Sequence, residues 1–137
     1  MTAEAFVSAA RALRGARWRH RGRKPWAVDC IGLVVLAGRE AGLTVEDERL
    51  YGREPWDDRL RAGLRARFGD PLSPGNAEPG DIGVFRYQTR EPAHVGVIGG
   101  GPHGLTLIHS HNIAGVVERG LSGPLADSLI EVYRPWQ

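Results

Sequence analysis

Cys30 is the one cysteine of a 137-residue chain. It stands in the run Trp26-Ala-Val-Asp-Cys-Ile-Gly-Leu-Val-Val-Leu, where a polar approach turns abruptly apolar. That pattern predicts a helix capped by Asp29, with Cys30 in its first turn. A thiol there meets unpaired backbone N–H groups and the positive end of the helix dipole. Such surroundings favour thiolate and can lower a cysteine pKa from about 8.5 into the range ~3.5–7.5. A cysteine nucleophile needs a base within reach and a group that orients the base. His94 opens one strand-like segment and His109 closes the next, so antiparallel pairing would bring the two imidazoles together. His94 then takes the thiol proton, and His109 fixes its tautomer by hydrogen bonding. The spacing by itself is a weak signal, because one cysteine and five histidines occur in many folded domains.

Elements of two kinds have to hold these groups. Residues 3–13 carry Phe6, Val7, Ala10 and Leu13 at helical spacing, with Gly15 after the end. Residues 17–27 read as a basic loop, and Cys30 to Ala41 as a buried helix stopped by Gly42. A further helix is predicted from near Pro55 to just before Gly69, with Trp56, Leu60, Leu64 and Phe68 on one face. Residues 71–76 form a turn-rich connection. Strand-like segments follow at 81–87, 94–98, 105–109, 115–119 and 129–134, bounded by glycine or proline. Helices followed by a meandering, mainly antiparallel sheet define an α+β class, and the length suits a single domain over residues 1–137.

Composition excludes several classes. One cysteine leaves no internal disulfide framework and no thiolate-based structural zinc site. No apolar run approaches the ~20 residues of a membrane span. No signal-peptide pattern opens the chain, so synthesis in the bacterial cytoplasm is expected, with export depending on another component. Net charge is +2, yet six arginines and a lysine between Arg11 and Lys24 face no acidic residue within that stretch. This basic run reads as a solvated helix end and loop, or as a surface for an acidic substrate or partner. Nothing resembling a nucleic-acid-binding signature accompanies it.

Beyond composition, the chain resembles a known family. Trp18-Arg-His-Arg-Gly through Asp29-Cys-Ile-Gly-Leu-Val, Pro79-Gly-Asp-Ile-Gly-Val-Phe, His94-Val-Gly-Val-Ile, and Leu107-Ile-His-Ser with Gly115-Val-Val resemble the NlpC/P60 superfamily of cysteine peptidases. The likeness covers nearly the whole chain in order, and is nearest to small forms encoded with phage tails and gene transfer agents. It implies a papain-like α+β fold, with N-terminal helices packed on the sheet, and hydrolysis of peptide bonds in peptidoglycan stem peptides. The implied roles are Cys30 as nucleophile, His94 as base and His109 as polar third member, with no cofactor or metal. It also implies delivery to the cell wall in a phage-like tail, with tail hub or baseplate proteins as partners.

Two positions depart from the family pattern. Trp18 stands where many members have a tyrosine whose hydroxyl serves the oxyanion site. Its indole N–H replaces that donor only with the ring edge toward the cleft; otherwise the ring packs as a wall. Ile31 replaces the serine common after the nucleophile. The backbone N–H of Cys30 remains an oxyanion donor, a type of group worth ~2.7–4 kcal/mol when removed.

Lesser sites have competing readings. His20 reads as exposed or at the cleft edge. Trp26, Trp56 and Trp136 read as packing residues, with Trp26 also a candidate substrate contact because it directly precedes the nucleophile segment. His103 belongs in an exposed hairpin turn, and Asp81 in a turn that starts a strand. His94, His109 and His111 offer a three-histidine metal site as an alternative, which would leave Cys30 without a role. A non-catalytic tail or hub module, and a Cys-His acyltransferase or thioesterase, are the alternative functions.

Overall fold

The computed structural model describes residues 1–44, 47, 59–86 and 94–136. Helix α1 (Ala3–Ala12) begins where the Thr2 hydroxyl accepts the Ala5 N–H at 3.0 Å, and it buries Phe6, Val7, Ala9 and Ala10. Helix α2 (Cys30–Glu40) is capped by Asp29 and buries Leu33, Val35 and Ala37. Helix α3 (Arg59–Phe68) has no fully buried residue; Leu60, Leu64 and Phe68 form its half-buried apolar stripe. The expected start of this helix near Pro55, and Trp56 with it, lie outside the described residues.

Between α1 and α2 the expected basic loop is a small sheet. Strand β1 (Arg17–Trp18) runs parallel to β3 (Ala27–Val28), and β2 (Arg23–Lys24) lies antiparallel to β3 on its other side. The Arg17 and Arg19 N–H groups bond the Trp26 and Val28 carbonyls. Two-residue strands are too short to show an alternating pattern, so nothing in the local sequence marks them.

The main sheet holds β4 (Ile82–Phe85), β5 (His94–Gly101), β6 (Gly104–His111), β7 (Gly115–Gly120) and β8 (Leu129–Tyr133), in the order β7-β6-β5-β4-β8. All its pairings are antiparallel. A short helix α4 (Gly123–Asp127), not expected from the sequence, precedes β8. Val84, Val95, Val97, Ile108 and Val116 pack with α1 and α2 in one core cluster. Phe85, Ile98, Leu107, Leu129 and Val132 form a second. The architecture is α+β, as the helices-then-strands pattern predicts. Among the described residues no helix is long and apolar enough to cross a membrane.

The main sheet is irregular at one end. The β5–β6 ladder runs from Gly101↔Gly104 to Val97↔Ile108, whereas β6 stays paired with β7 as far as His111↔Gly115. The first residues of β5 pair with β4 alone, down to Phe85↔His94. The sheet is therefore split at the end where His94 and His109 lie.

Candidate active site

Asp29 sets the position of Cys30. Its Oδ1 accepts the Gly32 N–H at 2.8 Å, closing the first turn of α2, and its Oδ2 accepts the Arg21 N–H at 2.8 Å. Arg21 reaches that bond through a left-handed backbone (φ 58°), a conformation that costs a non-glycine residue about 1–2 kcal/mol. The carboxylate's own charge opposes thiolate, but its bonds hold the nucleophile candidate at the helix start.

The Cys30 sulfur lies against the first residues of β5. Burial, and secondarily the charge of Asp29, push its thiol up to about 12; N–H groups of Val95, Ile31 and Cys30 itself act in the opposite direction. The dominance of desolvation reverses the sequence-based expectation of a lowered pKa. The helix-terminal N–H groups are present at the half-buried Cys30, but they offset only part of the cost of burying a charged sulfur.

The two histidines meet across the split. His94 Nε2 and His109 Nδ1 are 2.8 Å apart, with ring planes at 82° and centroids at 5.0 Å. A cradle of small size permits this: a side chain at Gly96 would sit 3.1 Å from the His109 Cβ and 2.8 Å from the Ile108 carbonyl. Phe85 meets the His94 ring edge-on with centroids 6.2 Å apart. Burial lowers His94 to about 3, assisted by His109 and His111. Burial also lowers His109 to about 4, with Arg119 and His111 adding to the effect. Both imidazoles are therefore neutral near pH 7. A neutral pair shares one proton across its bond, and either ring can donate it.

His111 is adjacent to His109, with ring centroids 6.2 Å apart, but its Nδ1 accepts the N–H groups of Ile113 and Ala114, both at 3.0 Å. That nitrogen is committed to holding the β6–β7 turn. Among the described residues no group of three or more histidine, cysteine, aspartate or glutamate side chains is arranged to hold a metal ion.

Trp18 pairs in register with Val28, two residues before Cys30, and stacks on His20 with centroids 6.5 Å apart. The backbone of Trp18 thus lies beside the strand that leads into the nucleophile segment. Trp26, read as a packing residue, is instead 67% exposed at the β2–β3 turn. Two residues are too short a turn to fold the indole back onto a core. Trp136 is half-buried beneath the Arg134 guanidinium, 4.9 Å from the ring. His103 lies exposed in the β5–β6 turn, at the far end of the sheet from His94. Asp81 does open β4, and it is also a buried ion-pair residue, with its Oδ1 2.9 Å from Arg134 Nε.

Two contributors escape sequence reasoning. The Ser110 hydroxyl, next to His109, donates to the Val28 carbonyl at 2.7 Å and so ties β6 to the strand that leads into Cys30. Arg23, counted in the solvated basic run, is buried. Its guanidinium bonds Asp29 at 3.0 Å and Asp47 at 2.9 Å, with side-chain exposures of 4% for Arg23, 5% for Asp29 and 8% for Asp47. Arg21, two residues before Arg23, has a positive φ and is exposed, and a single sequence carries no signal of which arginine of the run is buried.

No family model matches the sequence, and no curated protein matches it at a significant level. Solved structures do. An NlpC/P60-family protein from Bacillus cereus superposes with a TM-score of 0.74 at 18% identity, over 100% of this chain and 41% of that one. An NLP/P60-family protein from Staphylococcus aureus gives 0.69 at 19% identity, over 98% of this chain and 41% of that one. The NlpC/P60 domain of the peptidoglycan hydrolase SagA gives 0.61 at 19% identity, covering 97% of this chain and 98% of that domain. The chain thus spans about two fifths of the length of the first two proteins and nearly all of the isolated domain. Its fold is the NlpC/P60 fold.

Proposed function

We propose that this chain is a cysteine peptidase that cleaves peptide bonds in the stem peptides of bacterial peptidoglycan. The observation that carries this reading is the constellation at the split sheet: Cys30 at a helix start, its sulfur against the Val95 N–H, and His94 bonded to His109 at 2.8 Å. The NlpC/P60 fold of a peptidoglycan hydrolase domain supports the substrate class.

The resting pair is a neutral thiol and a neutral imidazole. With Nε2 engaged by His109, Nδ1 of His94 takes the thiol proton as sulfur attacks the carbonyl carbon. This requires His94 Nε2–H to donate to His109 Nδ1, so His109 selects the competent tautomer and stabilises the imidazolium that forms. The oxyanion develops beside the Cys30 N–H, with the Trp18 indole as the second donor. Collapse breaks the C–N bond, and His94 Nδ1–H protonates the departing amine. Water then loses a proton to His94 and attacks the thioester, releasing the acid and restoring the thiol. His20 and the exposed Trp26 are substrate contacts at the mouth of the cleft, where an indole face suits a sugar or stem peptide.

The sequence likeness to small tail-encoded forms extends the proposal to delivery by a phage-like tail, docked on hub or baseplate proteins. The decisive experiment incubates wild type and Cys30→Ala with purified peptidoglycan and analyses the soluble fragments by mass spectrometry. Wild-type-specific fragments with new stem-peptide termini are expected; identical profiles overturn the reading.

A further inference from the structure

The Cys30 thiol has an acidic neighbour that should hinder it, and the fold has buried a cation against that neighbour. Asp29 is the charge that acts on the thiol, second only to burial. Its Oδ1 is 3.0 Å from Arg23 Nη1, and the same guanidinium makes a two-point contact with Asp47 through Nε, at 3.0 and 2.9 Å. Arg23 Nη1 also donates to the Gly22 carbonyl at 2.9 Å.

The backbone is shaped around this arrangement. A Cβ at Gly32, in the first turn of α2, would collide with the Gly22 carbonyl and lie 3.0 Å from Arg23 Nη1 and 3.2 Å from Asp29 Oδ1. A glycine is thus required for the nucleophile's helix to press directly on the guanidinium. The titratable groups on the strands packed against α2 are His94 from β5 and His109 and His111 from β6, which adjoin one another in that order, and His20 stacks on Trp18 beyond β1. Arg23 and Asp47 stand behind the Asp29 carboxylate.

We infer that Arg23 is a positioning residue that sets the reactivity of Cys30 by offsetting the Asp29 charge, with Asp47 as a counterweight that draws part of this compensation away. The inference deepens the proposed cysteine chemistry and rests on it. It makes predictions of opposite sign for two members of one cluster. Removing the cation leaves Asp29 uncompensated, so thiolate forms less readily. Removing the Asp47 charge frees the guanidinium for Asp29, so thiolate forms more readily. A merely structural cluster would lose reactivity in both cases, or in neither.

The test is the rate of iodoacetamide alkylation of the purified full chain as a function of pH, with Cys30→Ala as the blank. Cys30 is the only cysteine, so the readout needs no peptidoglycan. Arg23→Gln should move the profile alkaline by about one pH unit, or about tenfold slower alkylation near pH 7. Arg23→Lys should recover part of that loss, and Asp47→Asn should move the profile toward acid. A folded Arg23→Gln with an unchanged profile overturns the inference, as does an alkaline movement in Asp47→Asn. If Arg23→Gln does not fold, Asp47→Asn decides alone. Because alkylation reads the thiol directly, absence of fragment release by wild type would overturn the peptidase reading without touching this one.

Discussion

The two ends of the main sheet treat ionisable groups in opposite ways. Away from Cys30, a carboxylate is kept ionised by arginines. Glu118 is bound by Arg11 at 2.9 Å and Arg14 at 3.2 Å. The hydrogen bond from Arg11 is the main cause that holds this carboxyl below the ordinary value of 4.5. At the split end, Cys30, His94 and His109 are held in their uncharged forms by burial. Charge at one end is a fixed structural element. At the other the proposed reaction would have to create it, beside buried histidines where it is strongly felt.

Activity should separate the two ends most sharply. Cys30→Ala and His94→Ala should lower fragment release by about 10³-fold or more, as expected for members of a unit that acts together. Glu118→Gln should leave release within about twofold, although it removes a comparably connected side chain. A loss in Glu118→Gln matching that of His94→Ala would dissolve the distinction between the ends.

Within the split end the histidines should rank. His109→Ala should cost about 10²-fold, and His109→Asn should recover part of it by supplying an acceptor to His94. His111→Ala should stay within a few fold; a loss equal to that of His94→Ala would point to metal chemistry instead. Steady-state rates on a soluble stem-peptide substrate would give this ranking.

Stability should divide by burial rather than by function. Asp29→Ala breaks a buried pair and a helix cap together, and urea unfolding should register a cost of about 3–5 kcal/mol. Arg11→Met breaks a pair whose arginine is 35% exposed, so about 1 kcal/mol is expected. Equal costs would mean that the Arg23–Asp29–Asp47 cluster is wetter than its geometry implies.

Acid should destabilise the ends in different windows. His94 and His109 are lowered from an ordinary 6.5 to about 3 and about 4. Below pH 6.5 the unfolded chain therefore binds protons that the folded one refuses. Stability present above that pH is lost as pH falls, down to about 4 for His109 and about 3 for His94. Glu118, lowered from 4.5, adds its loss only below that value. Thermal melts across pH should show His94→Gln flattening the upper window and Glu118→Gln the lower. The smallest effect belongs to Trp26→Ala, which should leave the melting temperature unchanged and raise KM by a few fold.

Much of the fold was legible because the long strands announce themselves. His94–Gly101 and Gly104–His111 are bounded by glycine or proline, and the two imidazoles fall at the same end once the segments pair antiparallel. The cap at Asp29 was legible for a similar local reason, a polar residue directly before an apolar run. What escaped depends on partners distant in sequence. Asp47 lies 24 residues from the arginine it holds, and Ser110 lies 82 from the Val28 carbonyl. Charge pattern marked Arg23 as solvated because a run of like residues carries no information about which one turns inward. Trp26 misled for the opposite reason: its size argued for burial, while a two-residue strand on either side gave it nowhere to go. The Cys30 thiol is pushed up where its helix terminus suggests the opposite, because a helix terminus is read from sequence and burial is not.

The stretch of β5 that β6 leaves unpaired gives the protein a spectroscopic handle. Val95 lies in that stretch and turns its backbone N–H to the Cys30 sulfur. That amide proton is therefore a built-in reporter. Its chemical shift and exchange rate should follow whether the sulfur is thiol, thiolate, acylated or alkylated. A single labelled valine would then display, variant by variant through a mutant series, the state of an atom that no proton spectrum shows directly.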